Sequence, residues 1–298
     1  MTTVTGNWGR WGVEDERGTL NLITPEVVLE ATRTPTTGKV YSLALPISRA
    51  GTPDLGVRPR PERLTLATPG DAPMYEAFGA APGVGANEDL LFIPSHAGTH
   101  MDALCHVYAD GSLYNGHPAS GFGAATGAAR CGIEHNGTFA ARAVLLDLAR
   151  HLGGEMLAPG RAVTSDELES CRAAQGVEIA AGDALLVRTG WLEGREAVGG
   201  TLRAGGEPGL GLDAVDFIRD HDVAVVGADN GAIECIPFDE GRFLGVHLEL
   251  IAKLGVTLVE HLWLADLAAD RCWQSLLVVG ALPVTGATGS PVNPIAIG

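Results

Sequence analysis

The chain has 298 residues, and 20 Lys and Arg against 36 Asp and Glu give a formal charge of −16. An acidic balance argues against a nucleic-acid or anionic-membrane partner, both of which need a basic face, and favours a small neutral or polar molecule. With 46% apolar and 19% charged residues there is material for a real core, and global disorder is excluded.

Start and stop signals divide the chain. Thr24 caps and Pro25 opens a helix over EVVLEAT. A strand follows over Lys39–Ile47. Ser48–Asn87, rich in Gly, Pro and Arg, reads as a long loop, and loops of this length are usually functional. Asp89–Pro94 reads as a strand, and Asp110–Thr138 as a second long loop. Ala143–Leu148, Ala184–Thr189 and Val223–Asp229 are continuous apolar runs that suit strands buried on both faces. Between them Thr164 and Glu167 form a capping box with Gly176 as the stop, and Asp213–Asp220 reads as a short amphipathic helix. A helix over Gly245–Leu254, stopped by Gly255, precedes strands at Thr257–Leu262 and Ser275–Val284. The last run, ten residues with a Gly and a Pro, falls short of the ~18 that span a membrane. The start, MTTVTGNWGRWG, lacks a signal peptide's basic and apolar parts. Five cysteines (Cys105, Cys131, Cys171, Cys235, Cys272) with no C-x-x-C pair read as small buried residues of a reduced, cytoplasmic protein.

The chemistry concentrates at residues 95–106, SHAGTHMDALCH. Three of nine histidines (His96, His100, His106) fall in eleven positions, joined by Asp102. Imidazole and carboxylate together are the usual ligands of zinc, manganese or iron. On a helix Asp102 and His106 would point away from His96 and His100. On an extended chain all four share a face, but a straight strand would set the His96 and His100 Cα atoms ~13 Å apart. The chain must therefore bend, most cheaply at Gly98.

This segment resembles the H-x-G-T-H-x-D-x-P-x-H signature of the metal-dependent cyclase superfamily, which includes bacterial kynurenine formamidase and isatin hydrolase. Leu104 replaces the signature proline, and Val107 a frequent phenylalanine. WGRWG, GTLNLITPE, DGSLYNG and RTGW resemble the longer bacterial branch of the family. The resemblance implies that His96, His100 and Asp102 bind a first metal and that His106 relays protons. It also implies a second pair of ligands, a histidine at a helix start and a glutamate about a dozen residues on, matched here by His247 and Glu260. Glu260 lies in the apolar run TLVEHLWL, where an unpaired carboxylate would be costly and a metal would neutralise it.

The resemblance further implies an α/β fold of the swivelling β/β/α type, a mixed central sheet flanked by helices. Residues 1–298 form a single domain, because the two halves of the site must converge. The resemblance also implies a homo-oligomer, a dimer or tetramer, in which an N-terminal arm, about residues 1–35, packs on a neighbouring subunit. One or two divalent ions, Zn or Mn, bind per subunit. The protein is a metal-dependent hydrolase of an amide, cyclic amide or lactone; the alternatives are a metal-dependent cyclase or lyase and a non-catalytic small-molecule binding protein. The glycine run GFGAATG lacks the preceding strand and the spacing of a dinucleotide loop. His117, His135, His151, His221 and His261 have no ligand-like spacing and are expected at the surface or in structural roles, with His117 a candidate to line the pocket.

Overall fold

In the computed structural model, residues 6–53, 58–197 and 206–298 are described. The apolar runs become the centre of a mixed nine-stranded sheet. From edge to edge it runs Val40–Ser42, Ile295–Ile297, Gln274–Gly280, Thr138–Asp147, Ala184–Arg188, Val225–Ala228, Thr257–Glu260, His100–Asp102 and Gly289–Pro291. The four strands from Thr138–Asp147 to Thr257–Glu260 are parallel, and the flanking pairs are antiparallel. The reason lies in the side chains. Val225–Ala228 and Thr257–Glu260 are buried at every position, so they need cover on both faces. Gln274–Gly280 instead alternates between buried and partly buried, which suits a flanking strand.

Helices Pro25–Ala31 and Ser165–Gln175 pack on the Thr138–Asp147 strand. The expected caps are present: Thr24 accepts from the Val27 amide, Thr164 and Glu167 exchange both bonds of a capping box, and Gly176 ends its helix with φ +67°. Leu145, Leu146, Leu185, Leu186, Val225, Val226 and Leu258 are fully buried along the sheet's centre. The architecture is thus α/β, a mixed central sheet flanked by helices. No helix among the described residues is long and apolar enough to cross a membrane.

Several expectations need correction. The Lys39–Ile47 run is a strand only over Val40–Ser42. From Leu43 the chain changes partner: its amide donates to Pro294 O and its carbonyl accepts from the Trp263 amide. The stretch at residues 48–87 is not all loop. It holds strand Glu62–Ala67 and helix Ala72–Ala77. Strand Glu88–Phe92 pairs with Glu62–Ala67 in a separate hairpin and does not join the central sheet. The helix expected at Gly245–Leu254 is α-helical over Gly245–His247 and π-helical over Leu248–Leu254, a form that often marks a functional site.

The described part of the N-terminal arm is bonded to its own chain. The Asn7 amide donates to Lys253 O, Trp8 Nε1 to Ala252 O, and Thr19 Oγ1 to Ala224 O.

Candidate metal centre

The site grows out of one bend and one strand register. Gly98 turns the chain with φ +61°, a left-handed conformation cheap for glycine. The next residues, His100–Asp102, form a short, fully buried strand between Thr257–Glu260 and Gly289–Pro291. In that register Glu260 stands opposite His100 and Gly289 opposite Asp102. Strand alternation sends Met101 to one face and His100 and Asp102 to the other.

Asp102 is the hub. Its Oδ1 lies 2.7 Å from His96 Nδ1 and 3.6 Å from His100 Nε2. Its Oδ2 lies 3.8 Å from His247 Nε2 and 4.0 Å from His106 Nε2. Glu260 approaches from the neighbouring strand, with Oε2 3.0 Å from His100 Nε2 and Oε1 3.2 Å from His247 Nε2. Ligand atoms of Asp102, His247 and Glu260 lie within 4.8 Å of one another, and so do those of His96, Asp102 and His106. The structure therefore brings together His96, His100, Asp102, His106, His247 and Glu260, drawn from two segments about 140 residues apart. His106 groups with His96 and Asp102 as closely as a ligand would, so geometry alone leaves it both roles.

The donor set suits a divalent cation. His100 Nε2, Asp102 Oδ2 and Glu260 Oε1 are buried without a hydrogen-bond partner. His100 Nε2 stands at ion-pair distance from both carboxylates without meeting hydrogen-bond geometry. Orphaned buried atoms of this kind are costly unless something else satisfies them. Imidazole and carboxylate oxygen are the donors that zinc and manganese accept.

The electrostatics are those of two buried carboxylates among imidazoles. Burial and the charge of Asp102 push Glu260 up, but contacts with His100 and His247 outweigh them and bring it down to about 2. Asp102 is likewise held below the usual carboxylate range: burial opposes this, and the surrounding histidines outweigh it. Burial opposes the charge on His247, yet Glu234 and Glu260 raise it to about 10. His106 goes the other way, lowered to about 4 by burial, with His96 and His247 adding to it against Asp102.

Other residues that shape the site were not anticipated. Glu234, buried, lies with Oε1 2.6 Å from His247 Nδ1 and accepts from the Val246 and His247 amides. Holding Nδ1 leaves Nε2 of His247 facing Asp102 and Glu260, the usual carboxylate–histidine support of a metal ligand. Its sequence signal was the one used for Glu260, a carboxylate inside an apolar run, AIECIP. Thr288 Oγ1 lies 2.9 Å from His96 Nε2. A Cβ on Gly289 would sit 2.7 Å from His96 Cε1 and 2.8 Å from Met101 O. Gly289→Ala should therefore push His96 off Asp102 and weaken metal affinity ~10-fold or more, read by competition with a chromogenic chelator. An unchanged affinity would count against His96 as part of the centre.

The other five histidines divide. His135 and His151 are partly exposed, beside Glu16 and Ser170. The ring of His221 bonds Phe217 O. His117, a candidate pocket residue, lies with Nε2 3.1 Å from Asp15 O. His261 is not at the surface. It is buried, with its ring centroid 6.2 Å from that of His100, and it lines a small cavity with His96, Arg58 and Pro59. Cys105 is buried, its thiol raised to about 12 chiefly by burial, so it is no nucleophile. A larger cleft of about 990 Å³ opens at the opposite half of the sheet, where Arg142 pairs with Asp183 and Lys39 with Asp270.

Comparison with known proteins adds a family to this geometry. A novel cyclase of known structure is 36% identical, with the match covering 98% of this chain and 99% of that one at a TM-score of 0.87. An isatin hydrolase bound to the product analogue thioisatinate is 20% identical over 87% of this chain and 91% of its own, TM-score 0.61. A predicted metal-dependent hydrolase from Bacillus stearothermophilus is 21% identical over 87% and 97%, TM-score 0.54. At these lower identities the likeness shows a shared fold, the swivelling β/β/α fold that the sequence leads one to expect. No curated protein matches. The Cyclase family model matches residues 41–235, which include the bend and the His96–His106 segment, and with the 36% identity across nearly the whole length it makes this chain a member of the cyclase family.

Proposed function

We propose that this chain is a metal-dependent hydrolase that adds water across an amide, cyclic amide or lactone bond. The observation that carries the reading is the convergence of His96, His100, Asp102, His247 and Glu260 around orphaned lone pairs, with His106 beside them. Zn or Mn held there, as one ion or two, would supply polarisation of the substrate carbonyl and acidification of water. The chain's own residues do the rest. Asp102 and Glu260 provide the negative charge that a cation needs. Gly98 O holds His100 Nδ1 at 2.8 Å, and Glu234 holds His247 Nδ1, so that both Nε2 atoms face the centre. His106, which burial keeps neutral at pH 7, takes a proton from the attacking water at Nε2 and returns it to the leaving nitrogen or oxygen. One water is consumed, and one carboxylic acid and one amine or alcohol are formed.

A second reading keeps the centre and changes the reaction to ring closure or elimination, as the family's name suggests. Turnover of a panel of cyclic amides (isatin included), formamides and lactones in ¹⁸O-water separates the two. Hydrolysis places one solvent oxygen in the new carboxylate; product without label refutes it. An isatin hydrolase among the proteins of this fold favours the hydrolytic reading.

The same proposal includes a single domain over residues 1–298, a cytoplasmic setting, a small-molecule substrate and a homo-oligomer. Support for the last comes from the hairpin, which leaves Leu64, Leu66, Leu90, Leu91 and Phe92 exposed. A two-stranded hairpin is marginal alone in water, and a patch of this kind calls for cover. It begins beside the site at Pro61, which lines the small cavity with His96 and His261, so a second copy seated on it would lie close to the proposed centre. Leu66→Lys with Phe92→Glu should lower the mass seen by analytical ultracentrifugation to that of one chain; an unchanged mass removes the hairpin from the interface.

A further inference from the structure

We infer that His261 is a positioning residue that fixes the nitrogen His100 presents to the centre, acting through the carbonyl of Gly98. The inference rests on the metal-centre reading. Two imidazoles converge on that one oxygen: His100 Nδ1 at 2.8 Å and His261 Nδ1 at 3.2 Å. A carbonyl oxygen has two lone pairs and can accept from both. With its Nδ1–H given to Gly98 O, His100 keeps Nε2 bare, and Nε2 is the atom left without a partner beside Asp102 and Glu260.

The backbone is arranged to deliver His261 to that place. Immediately after Glu260 the strand ends and His261 takes φ +54°, which turns its ring back over the bend. A left-handed residue other than glycine persists where its surroundings hold it, and three bonds do so. The His261 amide donates to Asn230 O at 3.0 Å, its carbonyl accepts from Thr99 Oγ1 at 2.7 Å, and its ring reaches Gly98 O. Thr99 and Gly98 both lie between the ligands His96 and His100. Two of the three bonds therefore clamp the glycine bend to the strand that carries Glu260. Space for the ring exists because residue 231 is glycine: a Cβ there would lie 2.8 Å from His261 Nε2. Trp191 closes the far side, with ring centroids 6.1 Å apart.

The role is support and not ligation. The ring's bonded nitrogen faces a carbonyl, its other nitrogen lies beside Gly231, and His261 belongs to neither group of converging ligand atoms. It differs from the support Glu234 gives His247 in being indirect, through the main chain of the bend.

Two variants separate the donor from the mere presence of a side chain. His261→Gly accepts the left-handed backbone and removes the donor. His261→Asn also accepts it and offers an amide N–H toward Gly98 O. Metal dissociation constants for Zn and Mn are measured by chelator competition, and the His100 tautomer in the metal-free protein by ¹⁵N chemical shifts. The expected result is a ~10- to 100-fold weaker constant and mixed His100 tautomers in His261→Gly. His261→Asn should stay within ~3-fold of the parent, with Nδ1–H retained on His100. Equal constants and tautomers in parent and His261→Gly would overturn the inference, and so would equal losses in both variants. Failure of the parent itself to bind either ion would refute the metal reading instead, while the metal-free ¹⁵N measurement still tests the link from His261 to His100.

Discussion

Asp102→Asn is expected to purify with a small fraction of the parent's bound metal and to lose activity by ~10³-fold or more, while far-UV circular dichroism still reports the folded sheet. The argument is positional. Asp102 is the residue common to both ligand groups, with one oxygen toward His96 and His100 and the other toward His247 and His106. The amide keeps the shape but removes the charge, and it puts N–H donors where lone pairs converge. A cation then meets two or three neutral imidazoles and one carboxylate, Glu260, instead of two. Metal analysis of the purified variant at parental stoichiometry would dismantle the shared centre.

His106→Ala should do the opposite: hold its metal and lose ~10²-fold or more in kcat. The His106 side chain keeps about a fifth of its surface exposed, whereas those of His100, Asp102, His247 and Glu260 are almost wholly enclosed. A proton relay must reach substrate, and the enclosed side chains cannot. Burial lowers the value of His106, so the ring is neutral at pH 7. Because His106 also lies within ligand distance of His96 and Asp102, the experiment has a clear opposite outcome. Loss of metal as complete as in His100→Ala would make it a ligand.

What the sequence disclosed follows from how local each signal is. The His96–His106 segment was readable because its residues are neighbours and because the distance between His96 and His100 demands a bend, which Gly98 supplies. Glu260 was readable from its apolar setting, and Glu234 carries the same signal in AIECIP. His261 was not readable. Its ring gains a partner only from the register that sets Glu260 opposite His100, and no spacing within the chain encodes that pairing. The buried parallel strands announced themselves as apolar runs, whereas ERLTLA, exposed on most of its length, carries no such run and looks like loop. The Lys39–Ile47 run shortened at Leu43, where the chain leaves one neighbour for another, a change of partner invisible to hydrophobic pattern.

The place of His100–Asp102 in the sheet also governs when the centre can exist. Its two neighbours, Thr257–Glu260 and Gly289–Pro291, follow it by more than about 150 residues, so the strand has no sheet to join until those segments have been made. Pairings of such long sequence separation are slow to form, because loop closure precedes any contact that rewards it. The His96–Asp102 segment must therefore wait, its histidines open to solvent and to any stray ion. Only docking of Thr257–Glu260 and Gly289–Pro291 brings the five proposed ligands together, and under the metal reading the affinity of the ion then becomes part of the free energy of folding. Under the metal reading, loading of the centre waits for those two strands, and a product cut short before them would carry the motif without the means to hold a metal.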